Sequence, residues 1–366
     1  MDTRLSKYAE LLVQYCLDLQ PGDRLFVKTT TLAEPLVREV YRHALRAGAT
    51  VDTELEFRDM QQIFLQEAGE KQLQRPPLVY QTAMEQYEAY LHIMAPFQLR
   101  DDFEADPEKL AVRQAAMQPL HKAYTQRTAT RELKRNLCLF PTPASAQGAG
   151  MSLEDYETFV YAACNLDDPN PIESWLKVRK RQQSIVDYLN TCHQIRYIGP
   201  GTDLRFSTKG RIWINSDGQT NMPSGEVYTA PVEDSVNGVV YFSFPAIFQG
   251  KEVEGVTLWV KNGLIERWEA KKGKEVLDYV FTLEGTRRFG EAAIGTNYRI
   301  TRQTRNILFD EKIGGTIHLA IGQSYLQTGG KNHSPIHWDM ITDMREGGEI
   351  WADEEKIYEN GFFLAL

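Results

Sequence analysis

The chain has 366 residues, of which 42% are hydrophobic and 25% charged, and its formal net charge is −9. This is globular composition with room for two domains, and neither the acidic balance nor the densest basic run, "KVRKR" at 177–181, offers a nucleic-acid surface. No apolar stretch approaches the roughly 18 residues of a membrane helix, "MDTRLSKYAE" has no apolar signal core, and Cys16, Cys138, Cys164 and Cys192 form no C-x-x-C, so the chain reads as a cytoplasmic protein with reduced thiols.

The first predicted element is an amphipathic helix. Leu5, Tyr8, Ala9, Leu12, Val13 and Cys16 recur at helical spacing, and Pro21-Gly22 ends the pattern. "DRLFV" (23–27) reads as a strand. A helix follows with Leu36, Val37, Val40, Tyr41, Ala44 and Leu45 on one face and Gly48 placed to cap it. "TVDTELEF" (50–57) alternates as the next strand, which completes a βαβ unit and predicts a mainly parallel sheet. "AYLHIM" (89–94) and "NLCLF" (136–140) read as further strands. Ser152 with Asp155 resembles a capping box opening a helix to about 164, and 171–190 reads as the last helix of this half.

The pattern changes near residue 193. "QIRYIG", "DLRFST", "RIWIN", "VVYFSF", "VTLWVKNGLIERWEA" and "GTIHLAIG" are short alternating runs, and "KNGL" carries a hairpin turn signal. The expectation is an α/β protein with an N-terminal α/β domain over 1–192 and a strand-rich α+β catalytic domain over 193–366.

Several chemistries lack support. "GPGTDLRF" (199–206) contains Gly-x-Gly, but a strand follows it where a dinucleotide loop needs a helix N-terminus. There is no Walker loop and no G-x-S-x-G elbow. What the second half does concentrate is potential metal donors. Glu226 sits in "NMPSGEVYTAP", Glu291 in "RRFGEAAIGTN", His318 and Tyr325 in "GTIHLAIGQSY", and His337 and Asp339 in "SPIHWDMITD". His318 alternates with Ile317, Leu319 and Ile321, so it faces away from their apolar side. His337 and Asp339 are two apart, so a strand points both the same way. Singly, each is an ordinary surface carboxylate, sheet histidine or packing tyrosine. Together, three carboxylates and two imidazoles suit two borderline divalent ions such as Zn²⁺, Co²⁺ or Mn²⁺, which activate water and polarise a carbonyl, while a tyrosine hydroxyl can stabilise an oxyanion. From the residues alone, this indicates a metallohydrolase. A metal-binding protein without hydrolytic activity and a metal-independent carboxylate-pair glycosidase remain alternatives.

The stretches "NMPSGEVYTAP", "GEAAIGTN", "FDEKIGGTIHLAIGQSY" and "NHSPIHWDMI", in this order, resemble the M29 metallo-aminopeptidases, as does the opening "KYAELLVQYCLDLQPGDRLFV". The resemblance covers nearly the whole chain and is weakest over about 60–130. It implies Glu226, Glu291, His318, His337 and Asp339 as ligands of two divalent ions per subunit. Tyr325 would be a ligand or transition-state donor, and Glu291 a bridging or proton-carrying group, a role Glu226 could fill equally. It also implies a cytoplasmic homodimer acting on short peptides with a free N-terminus. The joint between Tyr325 and His337 is shorter than in longer members.

Overall fold

The computed structural model describes residues 3–99 and 106–364. They form two compact units: Met1–Ile172 with Gly218–Pro223, and Glu173–Asp217 with Ser224–Leu366.

The first unit is built on a five-stranded, wholly parallel sheet in the order Thr50–Glu56, Arg24–Thr30, Ala89–Met94, Lys134–Leu139, Asn221–Met222. Helices connect the first four of these strands in chain order, as the βαβ reading requires. The opening helix departs from its simple period. Thr3–Glu10 is α-helical, but Leu11–Cys16 winds as a π-helix and buries Leu11, Leu12, Val13, Tyr15 and Cys16 together. A π turn holds more residues, so it turns more of them to one side than a 3.6-residue period allows. The predicted cap is present: the Ser152 hydroxyl accepts the Asp155 backbone N–H at 3.1 Å and starts helix Leu153–Ala163. All four cysteines are buried.

The second unit is strand-rich, giving the α/β plus α+β class expected. Its larger sheet has eight antiparallel strands running from Leu264–Glu269 at one edge to Phe362–Phe363 at the other. In the hairpin between Val256–Lys261 and Leu264–Glu269, Asn262 and Gly263 both adopt positive φ, the geometry that an Asn-Gly turn selects. The smaller antiparallel sheet has the order His337–Asp343, Thr316–Gly322, Phe289–Gly295, Glu226–Thr229, Ile214–Ser216. The helix Pro171–Leu189, which periodicity places at the end of the first half, sends Ile185, Val186 and Leu189 into the core of this second unit beside Phe206 and Val227. Among the described residues no helix is long and apolar enough to cross a membrane.

In the first unit one sheet face carries charge. Lys28 pairs with Glu54 at 3.1 Å and Glu56 at 3.0 Å, and His92 lies opposite Lys28 in the register. Burial, and then Lys28, push the His92 imidazole down to about 4, against the pull of Glu56. An unfolded histidine takes its proton near 6.5, so stability present above that pH is lost as pH falls towards 4. Thermal melts at pH 7 and pH 5 test this: wild type should lose up to about 2 kcal/mol more than His92→Gln over that interval.

Candidate metal centre

Strand pairing gathers the residues. Gly295 pairs with Glu226, Glu291 with Ala320, Ala293 with His318, and Ala320 and Gly322 with Asp339 and His337. Paired residues share a face. One face of the smaller sheet therefore presents Glu226, Glu291, His318, His337 and Asp339, separated by the small residues Ala293, Gly295, Ala320 and Gly322. The other face carries Val227, Ala292, Ile294, Ile317, Leu319, Ile321 and Met340, all in the unit's core. Fully burying one of the larger aliphatic chains is worth roughly 1.5–3 kcal/mol, so this face fixes which side is which.

Glu291 depends on a bulge. The register slips between Phe289 and Glu291, and Gly290 fills the extra place. A Cβ there would stand 2.4 Å from the carbonyl oxygen of Gln323 and 2.5 Å from that of Gly322, so only glycine fits without moving the backbone. Glu226 is held from behind. Gln182, on helix Pro171–Leu189, donates to the Glu226 carbonyl at 3.0 Å and accepts from the Thr296 hydroxyl at 2.9 Å.

The distances place the groups in two sets. His318 Nε2 lies 3.4 Å from Glu226 Oε2 and 3.5 Å from Glu291 Oε1. His337 Nε2 lies 3.1 Å from Glu291 Oε2 and 3.5 Å from Asp339 Oδ1. Glu226, Glu311 and His318 bring one donor atom each within 4.8 Å of one another, and Glu291, His337 and Asp339 do the same. His337 Nδ1 donates to the Gln323 carbonyl at 2.7 Å, which turns Nε2 towards the carboxylates. Tyr325 follows the strand end, its ring 4.8 Å from that of His337 and 5.8 Å from that of Tyr228. The structure thus brings together all six residues singled out in the sequence.

The electrostatics are those of crowded carboxylates. Burial opposes charge on His318, but Glu291 and Glu226 outweigh it and lift the imidazole to about 9. His337 is likewise raised well above its ordinary value by Asp339 and Glu291, against burial. In turn the imidazoles hold Glu291 below the usual carboxylate range and Asp339 at about 2, although burial pushes both up. Tyr325 is 41% exposed, yet desolvation of its phenol and then the carboxylates of Glu291 and Asp339 keep it protonated well above the usual value. Glu226 Oε2, Asp339 Oδ1 and both ring nitrogens of His318 are buried without a hydrogen-bond partner. Oxygen and imidazole donors left free in this way fit a divalent cation of the Zn²⁺, Co²⁺ or Mn²⁺ kind.

A family model described as thermophilic metalloprotease (M29) matches residues 1–363. The chain belongs to the M29 family. M29 relatives include Aminopeptidase 2 of Geobacillus stearothermophilus, 31% identical with 93% of this chain and 92% of that one covered. Aminopeptidase T of Thermus thermophilus is 27% identical over 98% of this chain and 95% of its own length. A solved structure described as wild-type AmpT from Thermus thermophilus superposes with a TM-score of 0.85 at 25% identity, covering 99% of both chains. M29 membership implies divalent metal.

Sequence reasoning missed Glu311, Lys312, the Gly290 bulge and the supports Gln182 and Gln323. The one available signal was "DEK" shortly before the apolar run around His318, where solvated charges are out of place.

Two outcomes follow. A cation needs neutral imidazole, so metal uptake at pH 7.5 should expel on the order of one to two protons, and affinity should rise with pH towards about 9. Cobalt titrations in buffers of different ionisation enthalpy measure this, and heats independent of buffer would contradict it. Gly290→Ala should lower stability by about 1–3 kcal/mol and weaken metal retention, read by denaturant unfolding and metal analysis.

Proposed function

We propose that this protein is a metallo-aminopeptidase that removes the N-terminal residue from short peptides with two divalent ions per subunit. The observation that carries the reading is the Glu291 carboxylate, whose two oxygens face two different donor sets, at 3.5 Å from His318 and 3.1 Å from His337. In this reading Glu226 and His318 would hold one ion and His337 and Asp339 the other, with Glu291 available to either set. Bound there, divalent ions supply water of lowered pKa and polarisation of the scissile carbonyl.

The chain's own residues do the rest. The Gln323 carbonyl keeps the proton on His337 Nδ1, so that Nε2 is the donor. Tyr325, its ring 4.8 Å from that of His337, would donate to the oxyanion that develops on the carbonyl or serve as a ligand. Glu291 is the candidate proton carrier between water and the leaving amine. A substrate's free α-amine would meet an ion or a carboxylate of the cluster, which supports N-terminal selectivity. The metal-independent glycosidase loses ground because a metalloprotease family model spans residues 1–363 and the relatives at this similarity are named aminopeptidases. The catalytic part is the second domain, about 193–366 by sequence, extended by helix Pro171–Leu189. A reducing cytoplasm suits the four buried cysteines. The homodimer rests on the family resemblance alone.

A panel of amino-acid amides and dipeptides, assayed on chelator-stripped and metal-restored protein, tests the reading. Activity should vanish on stripping and return with Co²⁺, Zn²⁺ or Mn²⁺. His337→Ala and Asp339→Ala should each lose about one ion per chain and more than about 100-fold in turnover, beyond the cost of losing an outer-shell partner. Unchanged metal content and turnover in both variants would sink the assignment.

A further inference from the structure

Lys312 is fully buried, 0% exposed, and its ammonium lies between two carboxylates. Nζ is 3.4 Å from Glu226 Oε1 and makes a close ion pair with Glu311 Oε1. Lysine is almost never buried this deeply unless its charge is answered. The two oxygens of Glu226 are thereby divided: Oε1 faces Lys312, while Oε2 faces His318 Nε2 at 3.4 Å and has no hydrogen-bond partner. His318 is 1% exposed and neither of its ring nitrogens is hydrogen-bonded. Glu311, Glu226 and His318 each bring a donor atom within 4.8 Å of the others.

The backbone holds this pair in place. Asp310 accepts from Thr304 N at 2.7 Å, Thr304 Oγ1 at 2.8 Å and Arg305 N at 2.8 Å, which ties down the short helix Ile307–Asp310 just ahead of it. Lys312 N donates to Phe309 O, and Asn297 N donates to Lys312 O, both at 3.0 Å.

We propose that Glu311 and Lys312 are part of the metal centre. Glu311 supplies a donor oxygen beside Glu226 and His318, and Lys312 is a positioning residue, the fixed cation that keeps the buried carboxylates together when no ion is bound. The inference rests on the two-ion reading above and adds to it a donor that the sequence motifs did not name.

The test is cobalt titration of the chelator-stripped full-length protein, followed by calorimetry, together with melting temperatures of stripped and loaded forms. Wild type should bind two ions. Glu311→Gln should weaken one of them by about 10–100-fold and leave the other within about 3-fold. Glu311→Asp keeps the charge opposite Lys312 but withdraws the oxygen by one methylene, so it should show the same selective loss and supplies a second measurement if Glu311→Gln fails to fold. Lys312→Met should lower the melting temperature of the stripped form more than that of the loaded form, because bound ions supply the missing positive charge. A packing role would lower both equally. Wild-type affinities at both sites in the Glu311 variants, or equal losses in both forms of Lys312→Met, would overturn the proposal. Wild-type protein that takes up no cobalt would instead overturn the two-ion reading, and the proposal with it.

Discussion

The structure depends on the pairing register of one antiparallel sheet. Strands Glu226–Thr229, Phe289–Gly295, Thr316–Gly322 and His337–Asp343 carry polar donors on one face and core side chains on the other. A slip of one residue in any of them would send Val, Ile, Leu or Met to the donor face and an acid or imidazole into the core. The apolar face therefore specifies the polar one. Ile317, Leu319 and Ile321 are wholly buried, and their combined burial is what makes His318 point the other way. The small residues between the donors have the complementary role of leaving space on that face.

Such a face is costly to hold closed. Two unit charges about 4 Å apart repel by about 4 kcal/mol at an effective dielectric of 20, and Glu226, Glu291, Glu311 and Asp339 all lie within this cluster. Three positive groups answer them: Lys312, and the imidazolium forms that the carboxylates stabilise on His318 and His337. Protons and divalent ions thus serve the same purpose here, as countercharge for one set of acids. The imidazole protons can be exchanged for metal, whereas the Lys312 charge, raised in pKa by Glu226 and Glu311 against burial, is permanent. This combination lets a buried acidic cluster exist both with and without its ions.

Much of this was legible in the chain. Alternation around His318, the i, i+2 spacing of His337 and Asp339, and glycine and alanine beside Glu226 and Glu291 are local patterns, and local patterns survive into the fold. The parallel sheet of the first unit and the Asn262-Gly263 hairpin follow from the same kind of signal. What was not legible depends on contacts between distant segments. Glu311 and Lys312 look like an ordinary charged pair until the strand pairings bring Glu226 from 85 positions upstream. The bulge at Gly290 is visible only against its partner strand, and the π turn at Leu11–Cys16 leaves no mark in a helical period. Helix Pro171–Leu189 adjoins the first half in sequence, yet Gln182 and its apolar face belong to the second.

The two units also show why fold class is a poor guide to where chemistry sits. The first has helices and a parallel sheet, the architecture in which ligands commonly bind beyond the carboxyl ends of the strands. Its sheet carries Lys28, Glu54, Glu56 and His92, but there both carboxylates are ion-paired with Lys28 and the imidazole is pushed towards neutrality. The chain's Gly-x-Gly lies in the other unit, where Pro200 and Gly201 form the turn between strands Gln194–Gly199 and Thr202–Ser207 and no helix follows to cradle a phosphate. In the second unit the antiparallel sheet does the opposite of pairing: acids outnumber their fixed cation, donor atoms are left without hydrogen bonds, and imidazoles are held charged until something displaces their protons. An imbalance of that kind, buried against a rigid core, identifies a site for an added cation more directly than either architecture does.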